Sequence, residues 1–511
     1  MERSAFSSTT EPAARSPETD DLVVGAPIAA DEPRGMSRLL RIFVSLMGAE
    51  VITRGLLLVA ALIVIRVLSP SAFGDYVYAI SAATVAGSLV DLGLTAMVTR
   101  DAAAKPQDAS RLMTTFLYAQ LVLGSLTVLV ASLLALTGVI GGPASHAALI
   151  IAFVAVGINA LSRPYEATLT GRGKAHFVTV SRAWRGAVLV AGTALVAVVD
   201  ATPEVFLLAI VASEITGTLV VERLCVTKST RHAKGVHFRA ILRLLKLAIP
   251  FTLVLGLNLL YLRVDILMIG HYDSASAVGN YGAATRILET AVVVPAFFGS
   301  AFLATISHHG PTLPGAREQT ATAIRMIVLI VMPMAVALGL CATPLVDLLA
   351  GSNYDTAAGV LLRLSPMMLL IASYTVLMSL QVSLDQLRTL ALINLLGLIV
   401  KAGLNLYAIP HFGINGAAVC AVIAEAVVVV LQWYYARRYV DIPDALGYFA
   451  RILVAGAVMA GAMLALRPVV PWPVGLAIGA ALYVAIAFVV RAVSLEQVRA
   501  MLGSLRPRHS T

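Results

Sequence analysis

From Ser37 onward, apolar runs follow one another with short polar links: 42–67, 75–97, 112–138, 144–162, 175–199, 204–222, 247–270, 276–305, 322–341, 357–380, 389–409, 413–436, 448–467 and 471–491. Roughly 20 apolar residues carry a helix across the hydrocarbon of a bilayer, so these fourteen runs predict fourteen transmembrane helices. Polar residues inside the runs keep helical spacing and not alternation. In the second run Ser81, Thr84, Ser88, Asp91 and Thr95 form one stripe. In the seventh, Asn258, Tyr261 and Asp265 share a face that Arg263 does not; in the eleventh, Asn394, Lys401 and Asn405 line up. Such stripes look onto a wet cavity or a partner helix, because lipid cannot solvate them.

One link occurs twice. Ser69–Ala79, SPSAFGDYVYA, returns 205 residues later as Ser274–Ala284, SASAVGNYGAA, with six of eleven positions identical. Both copies precede an even-numbered run and both would lie on the same side of the membrane. The repeat therefore predicts two bundles of like orientation, related by a pseudo-two-fold along the membrane normal, as secondary transporters are built. Gly74 and Gly279 are expected to allow a tight turn at the start of their runs.

Positive charge orients the runs, since Lys and Arg gather in cytoplasmic links. With the N-terminus inside, the inner links hold Arg100, Lys105 and Arg111, then Arg163, Arg172 and Lys174, then the basic stretch from Arg223 to Lys246. Those that follow hold Arg317 and Arg325, Arg388, and Arg437, Arg438 and Arg451, and the outer links only Arg66 and Arg467. Both termini are then cytoplasmic. The long basic link separates a bundle over 37–235 from one over 236–438, with two further helices and a tail over 439–511. Residues 1–36 are polar, rich in Asp, Glu, Ser and Pro, and read as a disordered cytoplasmic tail without the basic-then-apolar order of a signal peptide. The fold class is an all-α polytopic membrane protein of about 14 transmembrane helices, in two six-helix bundles plus two C-terminal helices.

Composition agrees: 59% of residues are hydrophobic and 13% charged, with a mean hydropathy of +0.89. The net charge of +9 is accounted for by the basic links, so nucleic acid is not called for as a partner. Cys225, Cys341 and Cys420 lie apart in or beside apolar runs and suggest buried thiols, neither a disulfide framework nor a metal cluster. Thr168–Lys174, TLTGRGK, lacks the first glycine of a phosphate-cradling loop. No cofactor or metal is expected, and the short outer links speak against an enzyme.

Ionisable residues within the runs are the candidate chemistry. Each costs about 2.5–3.5 kcal/mol at a helix centre unless paired or wetted. Glu50 with Arg54, and Arg286 with Glu289, stand at helical pairing distance. Arg263, Arg363 and Lys401 have no counter-charge nearby in sequence, while Glu214 and Glu425 stand alone among Ala and Val as candidate interhelical hydrogen-bonders. The balance is close to neutral and leaves an anionic or a cationic cargo open. Pro295, just after the Arg286–Glu289 pair, is a candidate hinge.

RVLSPSAFGDY, DLGL at Asp91–Leu94 and TRDAA at Thr99–Ala103, followed in the seventh run by IPF, VDILMIG and GNYGAATRILE, resemble bacterial polysaccharide flippases. These belong to the multidrug/oligosaccharidyl-lipid/polysaccharide exporter superfamily. The resemblance covers the first twelve runs. It implies translocation of a polyprenyl-pyrophosphate-linked glycan between leaflets of the cell membrane, with membrane lipids and other polysaccharide-assembly membrane proteins as partners. It also implies that cavity charges meet the pyrophosphate, here Arg54, Asp91, Arg263, Asp265, Arg286 and Lys401, with Asp91 and Asp265 as sites for a coupling ion. The alternatives are a multidrug or cation antiporter of the same superfamily and, further off, a membrane-embedded glycan enzyme.

Overall fold

A backbone amide in lipid can bond only to its own chain or a closed sheet, so apolar runs of this length close into helices. The computed structural model describes residues 52–91, 93–233, 238–293, 295, 314–384, 386–437, 445–490 and 492. The N-terminal tail and Glu50 lie outside them. The helices are α1 (52–67), α2 (Pro70–Asp91), α3 (Leu94–Ala104), α4 (Ala109–Leu136), α5 (His146–Gly171), α6 (Ala175–Val199), α7 (Pro203–Lys228) and α8 (Phe238–Tyr272). They continue with α9 (Ala275–Ala291), α10 (Pro314–Leu340), α11 (Ala342–Leu349), α12 (Asp355–Leu364), α13 (Met367–Ser383), α14 (Leu387–Ala436), α15 (Ala445–Leu466) and α16 (Trp472–Val489). No strand occurs among the described residues.

Helix occupies each of the fourteen expected runs where it is described. Among the described residues, eight helices are long and apolar enough to cross a membrane unaided, and nine if α12 and α13, bent by 45° to each other, count as one. The chain is a multi-pass membrane protein. Two physical features lower this count. α9 has 17 residues, and α14 merges two runs. Its 50 residues would reach about 75 Å as one rod, against a hydrocarbon core of about 30 Å. Gly413, at φ 58°, breaks it. Gly397 then packs so closely on Val428 that a Cβ would collide with the valine side chain, so the two halves fold back on each other.

Two boundaries differ from the sequence reading. The second run is interrupted at Gly93, whose φ of 70° only glycine adopts readily, and α3 continues beyond it. The fourth run continues past Arg163 and Pro164 to Gly171 within α5, so Arg163 belongs to a helix and not to a link.

α4 packs on α5, α5 on α7 and α7 on α6, while α8 lies on α14, α13 on α14, and α15 on α16 and α10. α2 and α9, which carry the repeated motif, cross each other near their N-terminal ends. A Cβ on Gly74 would fall on the Ala275 carbonyl, and a Cβ on Gly279 on the Pro70 carbonyl; they would lie 3.0 and 3.1 Å from the amide nitrogens of Gly279 and Gly74. The 205-residue offset exchanges these two pairs, so the local two-fold passes through the crossing. The tight-turn expectation is therefore corrected. Positive φ belongs to Gly93, Gly138, Gly173, Gly351 and Gly413, and Gly74 and Gly279 are glycine because two backbones touch there.

Other contacts fasten the same end of the molecule. Arg66 donates from Nη2 to the Leu348 carbonyl and from Nε to that of Leu349, the latter at 3.4 Å. The buried Tyr354 donates to the Leu68 carbonyl at 3.1 Å and meets Phe73 edge-on. Tyr78 donates to the Gly141 carbonyl at 2.5 Å.

Candidate functional site

Three polar clusters collect the charged residues. The first lies between α1 and α9, around a pocket of about 370 Å³ lined by Arg54, Leu57 and Leu58 on one side and Arg286, Glu289 and Thr290 on the other. Glu289 is shared. Its Oε2 lies 3.2 Å from Arg286 Nη1, and its Oε1 lies 3.2 Å from Arg263 Nη1, which comes from α8. The expected Arg286–Glu289 pair is present. Arg263, which shows no counter-charge in the sequence, finds one 26 positions away. One carboxylate thus serves two guanidinium groups, and the third, Arg54, faces them across the pocket. Leu57, on the wall beside Arg54, is 46% exposed, so the pocket borders the lipid-facing surface.

The second cluster runs through α2, α5, α6 and α7. Asp91 Oδ2 lies 3.2 Å from Arg163 Nη1, and its Oδ1 accepts from Thr95 at 2.5 Å. Arg163 Nη2 donates to Asn159 Oδ1 at 3.3 Å, and Asn159 Nδ2 donates to Glu214 Oε2 at 2.8 Å. Glu214 then meets Arg185 at 3.2 Å, Arg185 lies 3.8 Å from Glu166, and Glu166 accepts from Arg182 at 2.8 Å. Three arginines and three carboxylates form one chain with no net charge. Its Asp91 end faces a cavity of about 540 Å³, lined also by Thr84, Ser88, Asn159, Arg163 and Asn258. The polar stripe of the second run therefore does look onto a cavity. Sequence reasoning missed Arg163, Asn159 and Glu166. The available signal was that Asp91 had no counter-charge in its own run.

The third cluster is sealed within α8, α9 and α14. Lys401 Nζ lies 2.6 Å from Asp265 Oδ2, and the two side chains are only 2% and 6% exposed. Asp265 also accepts from Tyr281 at 3.0 Å and from Asn405 at 2.7 Å. Lys401 donates to the Tyr261 carbonyl at 3.0 Å and sits 4.6 Å from the centroid of that ring. Tyr261 donates in turn to Glu425 at 2.6 Å, so Glu425, like Glu214, is an interhelical hydrogen-bonder. Burying an ion pair is tolerable only when the remaining lone pairs and protons are bonded, and this pair meets that condition. Tyr281 comes from the second copy of the repeated motif.

Of the six candidates, Arg54 and Arg286 line one pocket and Arg263 reaches it through Glu289, Asp91 faces another cavity, and Asp265 and Lys401 are joined in the interior. Arg363, which has no counter-charge nearby in sequence, donates to the Gly359 carbonyl of its own helix at 2.8 Å. All three cysteines are buried.

A family profile described as "Polysaccharide biosynthesis protein" matches residues 63–359. No curated protein sequence matches the chain. Among solved structures the chain is similar to lipid II flippase MurJ in an inward closed conformation, with a TM-score of 0.71 at 15% identity, covering 87% of this chain and 99% of that one. An inward-facing multidrug resistance MATE family transporter of the MOP superfamily matches with a TM-score of 0.58 at 13% identity, over 74% and 93% of the two chains. The eukaryotic MATE transporter AtDTX14 matches with 0.53 at 14% identity, over 76% and 96%. At these identities the likeness concerns the fold.

Proposed function

The chain belongs to the polysaccharide biosynthesis protein family, and on that premise we propose that it carries a polyprenyl-pyrophosphate-linked oligosaccharide from the cytoplasmic to the outer leaflet. The observation that carries this reading is that Arg54 and Arg286 line one pocket, which Arg263 joins through the Glu289 carboxylate. A pyrophosphate brings at least two negative charges, which a single cation in a low-dielectric cleft does not offset. Three guanidinium groups, each with planar donors suited to phosphate oxygens, do so. Glu289 holds the arginines together until the phosphate displaces it. The lipid-bordering position of the pocket suits a cargo whose polyprenyl tail stays in the membrane while its head crosses.

Both termini lie in the cytoplasm in this reading, and the chain sits in the cell membrane as two bundles, 37–235 and 236–438, that rock about the Gly74–Gly279 crossing. In this reading that crossing, with the Arg66 and Tyr354 contacts, holds the outer ends of the two bundles together. No covalent chemistry is involved. An inside-negative potential favours outward movement of the anionic head by about 2.3 kcal/mol per charge per 100 mV. Asp91 and Asp265 hold Arg163 and Lys401 here, so a coupling ion reaches either carboxylate only after its pair opens.

The test is complementation of cells that lack the chain, scored by surface glycan and by accumulation of lipid-linked precursor. Arg286→Ala inserts normally but abolishes export, and Arg286→Lys keeps part of it because charge survives without the bidentate fork. Full export in an Arg54→Ala/Arg263→Ala/Arg286→Ala variant sinks the proposal and favours a cation antiporter.

A further inference from the structure

We propose that the cavity between α2, α5 and α8 is a glycan subsite, which takes neutral, hydroxyl-rich sugar residues of the cargo while the arginine pocket takes its pyrophosphate; this rests on the function proposed above. The cavity measures about 540 Å³, within the range of roughly 300–1,000 Å³ usual for small-molecule sites. Its polar groups are Thr84, Ser88 and Asp91 from α2, Asn159 and Arg163 from α5, and Asn258 from α8, with Val156 and Leu259 among its apolar lining.

The hydrogen-bond inventory suits a polyol. The hydroxyls of Thr84 and Ser88 donate to the Ile80 and Val85 carbonyls of their own helix, each at 2.7 Å. Their oxygens keep lone pairs that accept from a sugar hydroxyl. Arg163 uses Nη1 on Asp91 and Nη2 on Asn159, which leaves other N–H groups of its fork to donate. Acceptors thus stand on α2 and donors on α5, facing one space, and the apolar side chains offer a surface to sugar C–H groups.

Charge argues the same way. Asp91 is already neutralised by Arg163, so a cation finds no surplus negative charge there, and an anion would displace Asp91 from its partner. A neutral polyhydroxylated ligand disturbs neither. The placement suits one extended cargo. α2, which lines this cavity, crosses α9, which carries Arg286. A pyrophosphate at one end and sugars at the other occupy both places together.

The experiment measures binding to the purified full-length protein in lipid nanodiscs. The probes are bare undecaprenyl pyrophosphate and the polyprenyl-pyrophosphate glycans that accumulate in cells lacking the chain. The wild type binds the glycan-bearing lipid at least about tenfold more tightly than the bare one, about 1.4 kcal/mol. Thr84→Val/Ser88→Ala, which removes two acceptors while keeping side-chain volume, brings the ratio of the two affinities to about one, and Asp91→Asn lowers it too. Arg286→Ala weakens both probes and keeps the ratio. If the ratio in Thr84→Val/Ser88→Ala equals that of the wild type, or the wild type shows no preference, the glycan subsite is overturned. If Arg286→Ala leaves both affinities unchanged, it is the pyrophosphate reading that falls.

Discussion

Breaking the Asp265–Lys401 pair from each side should destabilise the protein, and removing both charges together should largely restore it. The pair is 2.6 Å apart and almost wholly buried. Asp265→Asn leaves the ammonium of Lys401 with the Tyr261 carbonyl and ring but without the carboxylate it is paired with. Uncoupling one side of a buried ion pair costs about 3–5 kcal/mol. Lys401→Met is the milder change, because Asp265 keeps Tyr281 and Asn405 as donors and can protonate. The double variant replaces two charges by a neutral amide and a thioether of similar volume, and such replacements are commonly close to neutral. Scaling from smaller domains, each single change should lower the unfolding midpoint by at least about 3 °C. The double should return to within about 2 °C of the wild type, measured on the full chain in detergent by thermal-shift fluorescence. If the two single effects simply add, within about 0.5 kcal/mol, the pair is not the structural unit described, and Lys401 is available for another role.

Gly74→Val and Gly279→Val should each cut the yield of folded protein and glycan export severely, because both put carbon onto a facing carbonyl. Gly403→Val and Gly461→Val, where a new Cβ meets nothing within 4 Å, should be tolerated; equal tolerance at all four positions removes the crossing from the account. For topology, a reporter fused after Thr511 should behave as cytoplasmic. A cysteine at Gly141 should react with an impermeant outer reagent and one at Lys228 should not; labelling of the latter from outside refutes the orientation.

The fold was readable because a membrane makes helices nearly obligatory, so the apolar runs and the repeat carried the architecture. What escaped the sequence were pairings across helices. Spacing of three or four residues exposes Arg286 with Glu289, but Arg263 with Glu289 and Lys401 with Asp265 meet only through packing. Arg163 was hidden for a different reason. Its neighbour Pro164 usually marks a helix end, whereas α5 runs through it, so a charge in the membrane looked like one in a link. The repeated glycines were visible, yet a turn glycine and a contact glycine read alike until φ and the facing backbone are known.

The most direct measurement reconstitutes the protein in vesicles with a polyprenyl-pyrophosphate glycan bearing a fluorophore on its sugar, and adds an impermeant quencher. Wild-type vesicles should lose nearly all fluorescence as cargo crosses from the protected leaflet. Vesicles with the Arg54→Ala/Arg263→Ala/Arg286→Ala variant should stop near half, like protein-free ones. Equal crossing in both preparations, or no crossing in the wild type, would contradict the claim that this arginine pocket carries a lipid-linked pyrophosphate across the membrane.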